Sequence, residues 1–476
     1  MKAIRLQRFK GFRDTGWIEI KPITLLFGHN SSGKSTILNA LLMLKQSLEN
    51  PAKEVPFVFS SDSGVDLGTY EDIVNNHKID FKQPIVISIR TDLDFWYDPT
   101  TSVNNKKKRN PFGQLYSPGT DCIKLSIDIS YNQNRKNNEI IKYTIKNTDA
   151  KTIFSMYKKS TAYNAKSYFF SDYYNLEEYL IKNSFSNFIN IITIDKNKTQ
   201  NFIPLISEKI TSLHFLNMCL EKELRDFFEK ISNIGPVRAV PKRTQFFTGE
   251  NPATVGIRGE DALQLLYLSK YGKHPDYLES RINNWLSAYH YKFEWKLLGS
   301  NLGQFILTDT RTGTQVPLKD VGFGLSQILP VVIQVYAAPH ESVVLIEQPE
   351  IHLHSKAQAE LGDLFLDAVY SSPDNDTATP KYLIVETHSE NLLLRIRRRL
   401  AENYLKKNPG RFPKAEDIAI YFIENVDGES IAHRIILNDK GEFETMPDSF
   451  RKFFSDDFEE IMRINESLAQ IKISER

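Results

Sequence analysis

Cysteine is nearly absent: Cys122 and Cys219 are the only two in 476 residues, far apart and without the spacing of a metal-binding pair. That excludes a disulfide framework, and a reduced, cytoplasmic setting is expected. Long apolar runs are missing too. The longest, Ile328 to Ala338, is interrupted by Gln334 and is too short to cross a bilayer, so no membrane span is expected. The opening MKAIRLQRFKGF alternates like a strand and lacks the apolar stretch of a signal peptide. Charge of one sign is also lacking. Lys and Arg number 60 against 59 Asp and Glu, a net charge of +1, so no global basic field draws the chain to nucleic acid. There is no internal repeat and no heptad run long enough for a coiled-coil arm. What remains, 41% hydrophobic and 25% charged, is the composition of an ordinary soluble globular protein with room for two or three domains.

What is present starts with Gly28 to Ser35, GHNSSGKS, a complete Walker A phosphate-binding loop. Gly28 and Gly33 let the backbone curl so that successive N–H groups point inward, a nest for a polyphosphate. Lys34 can reach the β- and γ-phosphates as a point charge, and the Ser35 hydroxyl suits Mg2+. The preceding IKPITLLF (Ile20 to Phe27) is apolar and β-branched, a buried strand. The following STILNALLMLK (Ser35 to Lys45) has apolar residues at helical spacing, so the loop opens a helix whose dipole favours an anion. ATP with Mg2+ is the expected cofactor. Its candidate contacts are Gly28, His29, Asn30, Ser31, Ser32, Gly33, Lys34, Ser35 and Thr36.

Residues 1–55 read as the first part of an ATPase head. Over 56–234 Asn, Lys, Tyr, Phe and Ser dominate with little clear period, which reads as an inserted α+β lobe closed by an amphipathic helix, Leu213 to Ile231. The head resumes over 235–400, and 401–476 form a short α/β extension ending in a charged helix near Ser455 to Ser474. Another amphipathic helix spans Gly259 to Tyr271, and strands are expected at Glu341 to Pro349 and from Lys381. Val343 to Ile346 run straight into Glu347, Gln348, Pro349 and Glu350. A buried parallel strand delivering a carboxylate at its tip is the Walker B arrangement, so Glu347 joins Ser35 as the expected Mg2+ side of the site.

GHNSSGKST, VGFGLSQILP (Val321 to Pro330), LIEQPEIHLHS (Leu345 to Ser355) and ETHSENLL (Glu386 to Leu393) follow one another in this order. In that order they resemble the motifs of ABC-type ATPases of the RecF/SMC-like branch, within it the AAA15/OLD-like group. GPVRAVPKR (Gly235 to Arg243), VGIRGEDALQLL (Val255 to Leu266) and the tail Ala419 to Phe454 look like a subgroup often found in bacterial anti-phage loci. The resemblance implies an α/β head, a P-loop fold with a mixed sheet flanked by helices, and two protomers that sandwich two ATP molecules. Ser326 would reach the partner protomer's γ-phosphate from the N-terminus of the helix SQILPVVIQVY; the simpler reading is a helix N-cap serine. His388 matches the switch histidine that contacts the γ-phosphate. His352 and His354 lie near the dimer-facing loop, and their spacing without a cysteine partner argues against a metal pair.

Gln348 is the main departure. Most ABC ATPases carry there the glutamate that polarises the attacking water, whereas an amide orients water without accepting its proton. Slow hydrolysis and a long-lived ATP-closed dimer are expected, with Glu350 the substitute base if the strand ends one turn differently. OLD-type nucleases fuse the ATPase to a TOPRIM domain; the tail after His388 is too short for one and lacks a D-x-D pair, so none is expected. The expected role is therefore an ATPase that forms a homodimer or higher oligomer and controls a separate nuclease or toxin in anti-phage defence, as Septu-like ATPases do. The alternative is a RecF/SMC-like repair or chromosome-maintenance ATPase with DNA-stimulated turnover. Contact with nucleic acid would fall to KKKR (Lys106 to Arg109) or RIRRR (Arg395 to Arg399), runs that equally suit a solvated face. Docking of a partner is the role guessed for the middle lobe.

Overall fold

The computed structural model describes residues 1–49, 55–61, 64–80, 82–92, 122–134, 136–161, 164–171, 204–270, 275–370, 380–406 and 413–454. KKKR and the charged helix expected near Ser455 to Ser474 lie outside the described residues. The chain forms two compact units. One gathers Met1–Ile20, Ser35–Ile231 and Asn425–Ile431; the other gathers Lys21–Lys34, Ser232–Glu424 and Ala432–Arg476.

In chain order the elements begin with β1 (Ala3–Phe9), β2 (Phe12–Asp14), β3 (Ile18–Glu19), β4 (Ile23–Gly28), α1 (Lys34–Glu49) and α2 (Tyr70–Ile73). Next come β5 (Ile85–Thr91), β6 (Ile123–Asn132), β7 (Asn137–Lys146), β8 (Thr152–Thr161), β9 (Asn164–Phe170) and α3 (Pro204–Glu229). Then follow β10 (Ile231–Ile234), β11 (Gln245–Phe246), α4 (Ala262–Ser269), α5 (Pro275–Ser287), β12 (Tyr291–Leu297), β13 (Leu302–Asp309) and β14 (Gln315–Pro317). The remainder is α6 (Phe323–Ala337), β15 (Val343–Glu347), α7 (Ser355–Tyr370), β16 (Tyr382–Glu386), α8 (Glu390–Lys406), β17 (Ile418–Val426), β18 (Glu429–Leu437) and β19 (Phe443–Thr445).

The first unit is an antiparallel meander. β1 pairs with β2, β3 and β5, and β5 through β9 pair in sequence order. Alternation sets the inner face: Ile85, Ile87 and Ile89 of β5 and Ile123, Leu125, Ile127 and Ile129 of β6 are all fully buried. Leu216, Leu220, Leu224 and Phe228 recur every fourth residue and bury one stripe of α3. That helix starts nearer Pro204 than the expected Leu213. The β1–β5 ladder, with Ile4 opposite Ile89, ties the N-terminal strand to the segment after residue 55, so the expected boundary there runs through one sheet.

The second unit carries the strand order β10-β15-β16-β4-β17, with β15–β16, β16–β4 and β4–β17 parallel. Every residue of β4 is buried, as a parallel strand covered on both faces requires. Ile23, Leu25 and Phe27 share one core with Val332 and Val335 of α6, Leu361 and Phe365 of α7 and Leu392 and Ile396 of α8. β11 to β14 form a small antiparallel sheet whose Phe293 and Phe305 rings stack at 4.7 Å. The boundary expected at residue 400 falls inside α8, because its buried stripe continues to Leu400. β17 then returns to the sheet beside β4, and residues 448–454 form a helix that sets Phe450 and Phe454 against Phe27. The terminal stretch is thus built into this unit, because a strand and a cluster of aromatic rings complete its core.

Candidate functional site

The phosphate loop follows from β4 directly. Backbone φ is +150° at Gly28, +61° at Ser31 and +108° at Gly33, conformations that turn successive N–H groups inward. At Gly28 a Cβ would run into the Ile423 carbonyl and the Ser32 hydroxyl, so only glycine fits. Lys34 is 3% exposed and opens α1; its Nζ donates to the Gly28 carbonyl at 3.0 Å and the His29 carbonyl at 2.7 Å. The lysine thus holds the loop curled around itself. Burial pulls its pKa down, opposed by the negative charges of Glu386 and Glu350. Ser32 is buried with its Oγ unpartnered among the described residues, while His29, Asn30 and Ser31 are exposed. Ser35 and Thr36 take the second and third positions of α1. An inward nest, a lysine and a helix N-terminus fit a polyphosphate.

Two carboxylates stand at the strand ends next to this loop. β15 ends on Glu347, directly in register with Glu386 at the end of β16, and Glu386 is in turn opposite Leu26 of β4. Burial, then the Glu386 charge, push the Glu347 pKa up to about 7, against the pull of Asn233 and Arg238. Two acids side by side, with the proton affinity of Glu347 raised, fit a site that a divalent cation would complete. No cluster of three or more metal-binding side chains occurs among the described residues. Glu386 is a site residue that sequence reading passed over. The signal was there, an acid two residues before His388 at the end of an apolar run.

Gln348 follows Glu347 with φ at +43°. Its N–H donates to the Glu386 carbonyl at 2.8 Å, and its Nε2 lies 3.3 Å from His388 Nε2. Burial, then the nearby Lys34 and His29 charges, press the His388 pKa down to about 4, while a Gly28 backbone contact opposes them. A neutral imidazole accepts at Nε2 from the amide of Gln348. Lys34, Gly28, His388 and Gln348 therefore form one hydrogen-bonded chain beside the loop. Glu350, 8% exposed, accepts the His388 backbone N–H at 2.6 Å; its other oxygen is buried without a partner among the described residues. Its proton affinity is raised by burial. β15 ends at Glu347, so the later strand end that would have made Glu350 the tip residue does not occur, and this carboxylate staples two turns together.

The helix expected to start at Ser326 begins instead at Phe323, with Gly322 as its cap. Ser326 is one turn inside, 4% exposed, and borders a cavity of about 110 Å³ together with Lys242, Glu260 and Pro330. It is not the N-cap. Gly324 meets the turn after β15 closely: a Cβ there would lie 2.6 Å from the His352 carbonyl. His354 Nδ1 accepts the Ala357 N–H at 3.3 Å and so caps α7. The RIRRR arginines are engaged within the chain. Arg395 and Arg399 pair with Asp363, Arg398 and Arg399 with Glu402, and Arg397 donates to the Gly441 carbonyl and lies over Phe443.

Fold and loop define a P-loop nucleoside triphosphatase with a mixed α/β architecture. Residues 1–393 match the AAA ATPase domain family (AAA_15), and the chain belongs to that family. No curated protein matches the chain. Among solved structures it is similar to an SMC head bound to the C-winged helix domain of ScpA, at 10% identity over 92% of this chain and 98% of that one, TM-score 0.42. It is also similar to the SMC head domain from Thermotoga maritima, at 10% identity over 92% and 99% of the two chains, TM-score 0.34. A third similar structure is the Smc head with an extended coiled coil bound to the C-terminal domain of ScpA from Pyrococcus furiosus, at 10% identity over 98% and 99%, TM-score 0.39. No described helix is long and apolar enough to cross a membrane.

Proposed function

We propose that this chain is an ATP-dependent switch: it binds ATP with Mg2+, closes into a dimer or higher oligomer, hydrolyses slowly, and in that closed state controls a separate nuclease or toxin in anti-phage defence. The observation that carries slow hydrolysis is Gln348, held at the tip of β15 with its amide against His388. Bound ATP would supply the phosphoryl group and Mg2+ would neutralise its charge. Lys34 and the loop N–H groups would bind and orient the phosphates; Ser35 and Glu347 would hold the cation. Gln348 orients a water but takes no proton from it near neutral pH. Glu350 keeps the His388 turn in place, and Ser326 with the start of α6 is assigned to contact across the dimer. An amide at Gln348, in place of a proton-accepting carboxylate, favours a slow effector-controlling switch over a DNA-stimulated enzyme.

Steady-state ATP hydrolysis beside a Lys34→Ala control, with ATP binding followed in the same samples, tests this. Tight binding with slow, Lys34-dependent turnover, unchanged by added DNA, is the expected result. Brisk turnover abolished by Lys34→Ala would overturn the slow switch, and stimulation by DNA would favour the RecF/SMC-like alternative.

A further inference from the structure

Gln348 occupies a conformation its own covalent structure resists on two counts. Its φ of +43° is left-handed, which costs a non-glycine residue about 1–2 kcal/mol. It also precedes Pro349, and proline pushes its predecessor toward extended backbone. Such a residue stays put only where its surroundings over-determine it.

Both peptide groups flanking the Gln348 Cα are held. The peptide from Glu347 to Gln348 is held at its N–H end by the Glu386 carbonyl at 2.8 Å. Its carbonyl end, Glu347 O, accepts from Arg238 Nη2 at 2.9 Å. The next carbonyl, Gln348 O, lies 3.5 Å from the same nitrogen and accepts the Ile351 N–H at 3.4 Å. With both planes fixed, the Cα–Cβ direction is fixed, and with it the path of the amide to His388. Arg238 is 4% exposed, an expensive place for a cation, and Glu350 and Glu347 supply the charge that offsets its burial. Arg238 reaches both neighbouring carbonyls through the one nitrogen, Nη2, at the end of a long side chain that lysine does not match in reach.

We propose that Arg238 is a positioning residue for ATP hydrolysis: it locks the strained Gln348 turn and so aims the Gln348 amide at His388. The turnover part of this rests on the ATPase reading above; the clamp on the turn does not.

The test uses the full chain as Arg238→Met, Arg238→Lys, Gln348→Ala and Arg238→Met with Gln348→Ala. The first readout is amide hydrogen exchange of residues 347–351 without nucleotide. Arg238→Met should speed exchange of the Gln348 amide about tenfold or more while amides of β4 keep their protection, with Arg238→Lys in between. The second is single-turnover ATP hydrolysis. Arg238→Met should slow it about tenfold with ATP affinity unchanged, and should slow it no further in the Gln348→Ala background. Unchanged exchange at Gln348 overturns the clamp, and equal losses in both backgrounds overturn the positioning role. If Arg238→Met does not fold, Arg238→Lys decides by the same exchange criterion. Absence of Lys34-dependent turnover in the parent would remove the ATPase reading alone, since exchange still scores the clamp.

Discussion

At the scale of single residues, the chemistry of the site is set by which groups burial keeps neutral and which it leaves charged. His388 is uncharged at neutral pH, Glu347 holds a proton readily, and neither Gln348 nor His388 as placed is a strong base. Restoring a carboxylate should therefore change the rate and little else. Gln348→Glu is expected to raise phosphate release about ten- to a hundredfold, an increase abolished by adding Lys34→Ala. A second residue offers a stability test away from the site. Burial pushes the Asp128 pKa from 3.8 up to about 6, only partly opposed by Lys142 opposite it on β7. A raised folded-state value means the carboxyl contributes stability below its unfolded value of 3.8, lost as pH rises through 6. Asp128→Asn should melt like the parent near pH 4 and a few degrees higher near pH 7.5, about 1 kcal/mol, measured by thermal unfolding. The phosphate loop was legible in the sequence because its curl is set locally, by the backbone of Gly28, Ser31 and Gly33 and by the Lys34 hydrogen bonds to the Gly28 and His29 carbonyls. Arg238 was not, since its partners Glu347 and Gln348 stand more than a hundred residues later and only the β10–β15 pairing brings them together.

At the scale of elements, the start of α6 and the turn after β15 are fitted to one another through Gly324. Alanine normally stabilises a helix over glycine by about 1 kcal/mol. Here the added methyl would be forced against the His352 carbonyl at 2.6 Å. Gly324→Ala should therefore invert the usual sign, costing about 1–3 kcal/mol by urea unfolding, with ATP binding retained and turnover reduced. A gain in stability would show the approach to be loose. The helix start was misplaced from sequence because Ser326 looks like a cap, whereas glycine at 322 and 324 gives no local helix signal and the cap is Gly322. The buried strands β4, β15 and β16 were readable because parallel strands covered on both faces are written as unbroken apolar runs. The meander β5–β9 was hidden, because its alternation is blurred: polar Asn138, Thr144 and Ser155 are themselves buried in it.

At the scale of the whole molecule, nucleotide should govern assembly. With ATP and Mg2+ the parent should elute as a dimer or larger species by light scattering and persist there, whereas Lys34→Ala should stay at the nucleotide-free size. Loss of that shift while ATP still binds would remove the switch. The division of the chain into units has one more outcome. Cys122 and Cys219 both belong to the meander unit, and since the chain has no other cysteine, the unit holding β4, Gln348 and His388 contains no thiol at all. Nothing in it can be glutathionylated, nitrosylated or cross-linked through sulfur. ATP binding should therefore survive N-ethylmaleimide or peroxide at doses that silence thiol-dependent ATPases, leaving the switch readable in a cell under oxidative attack.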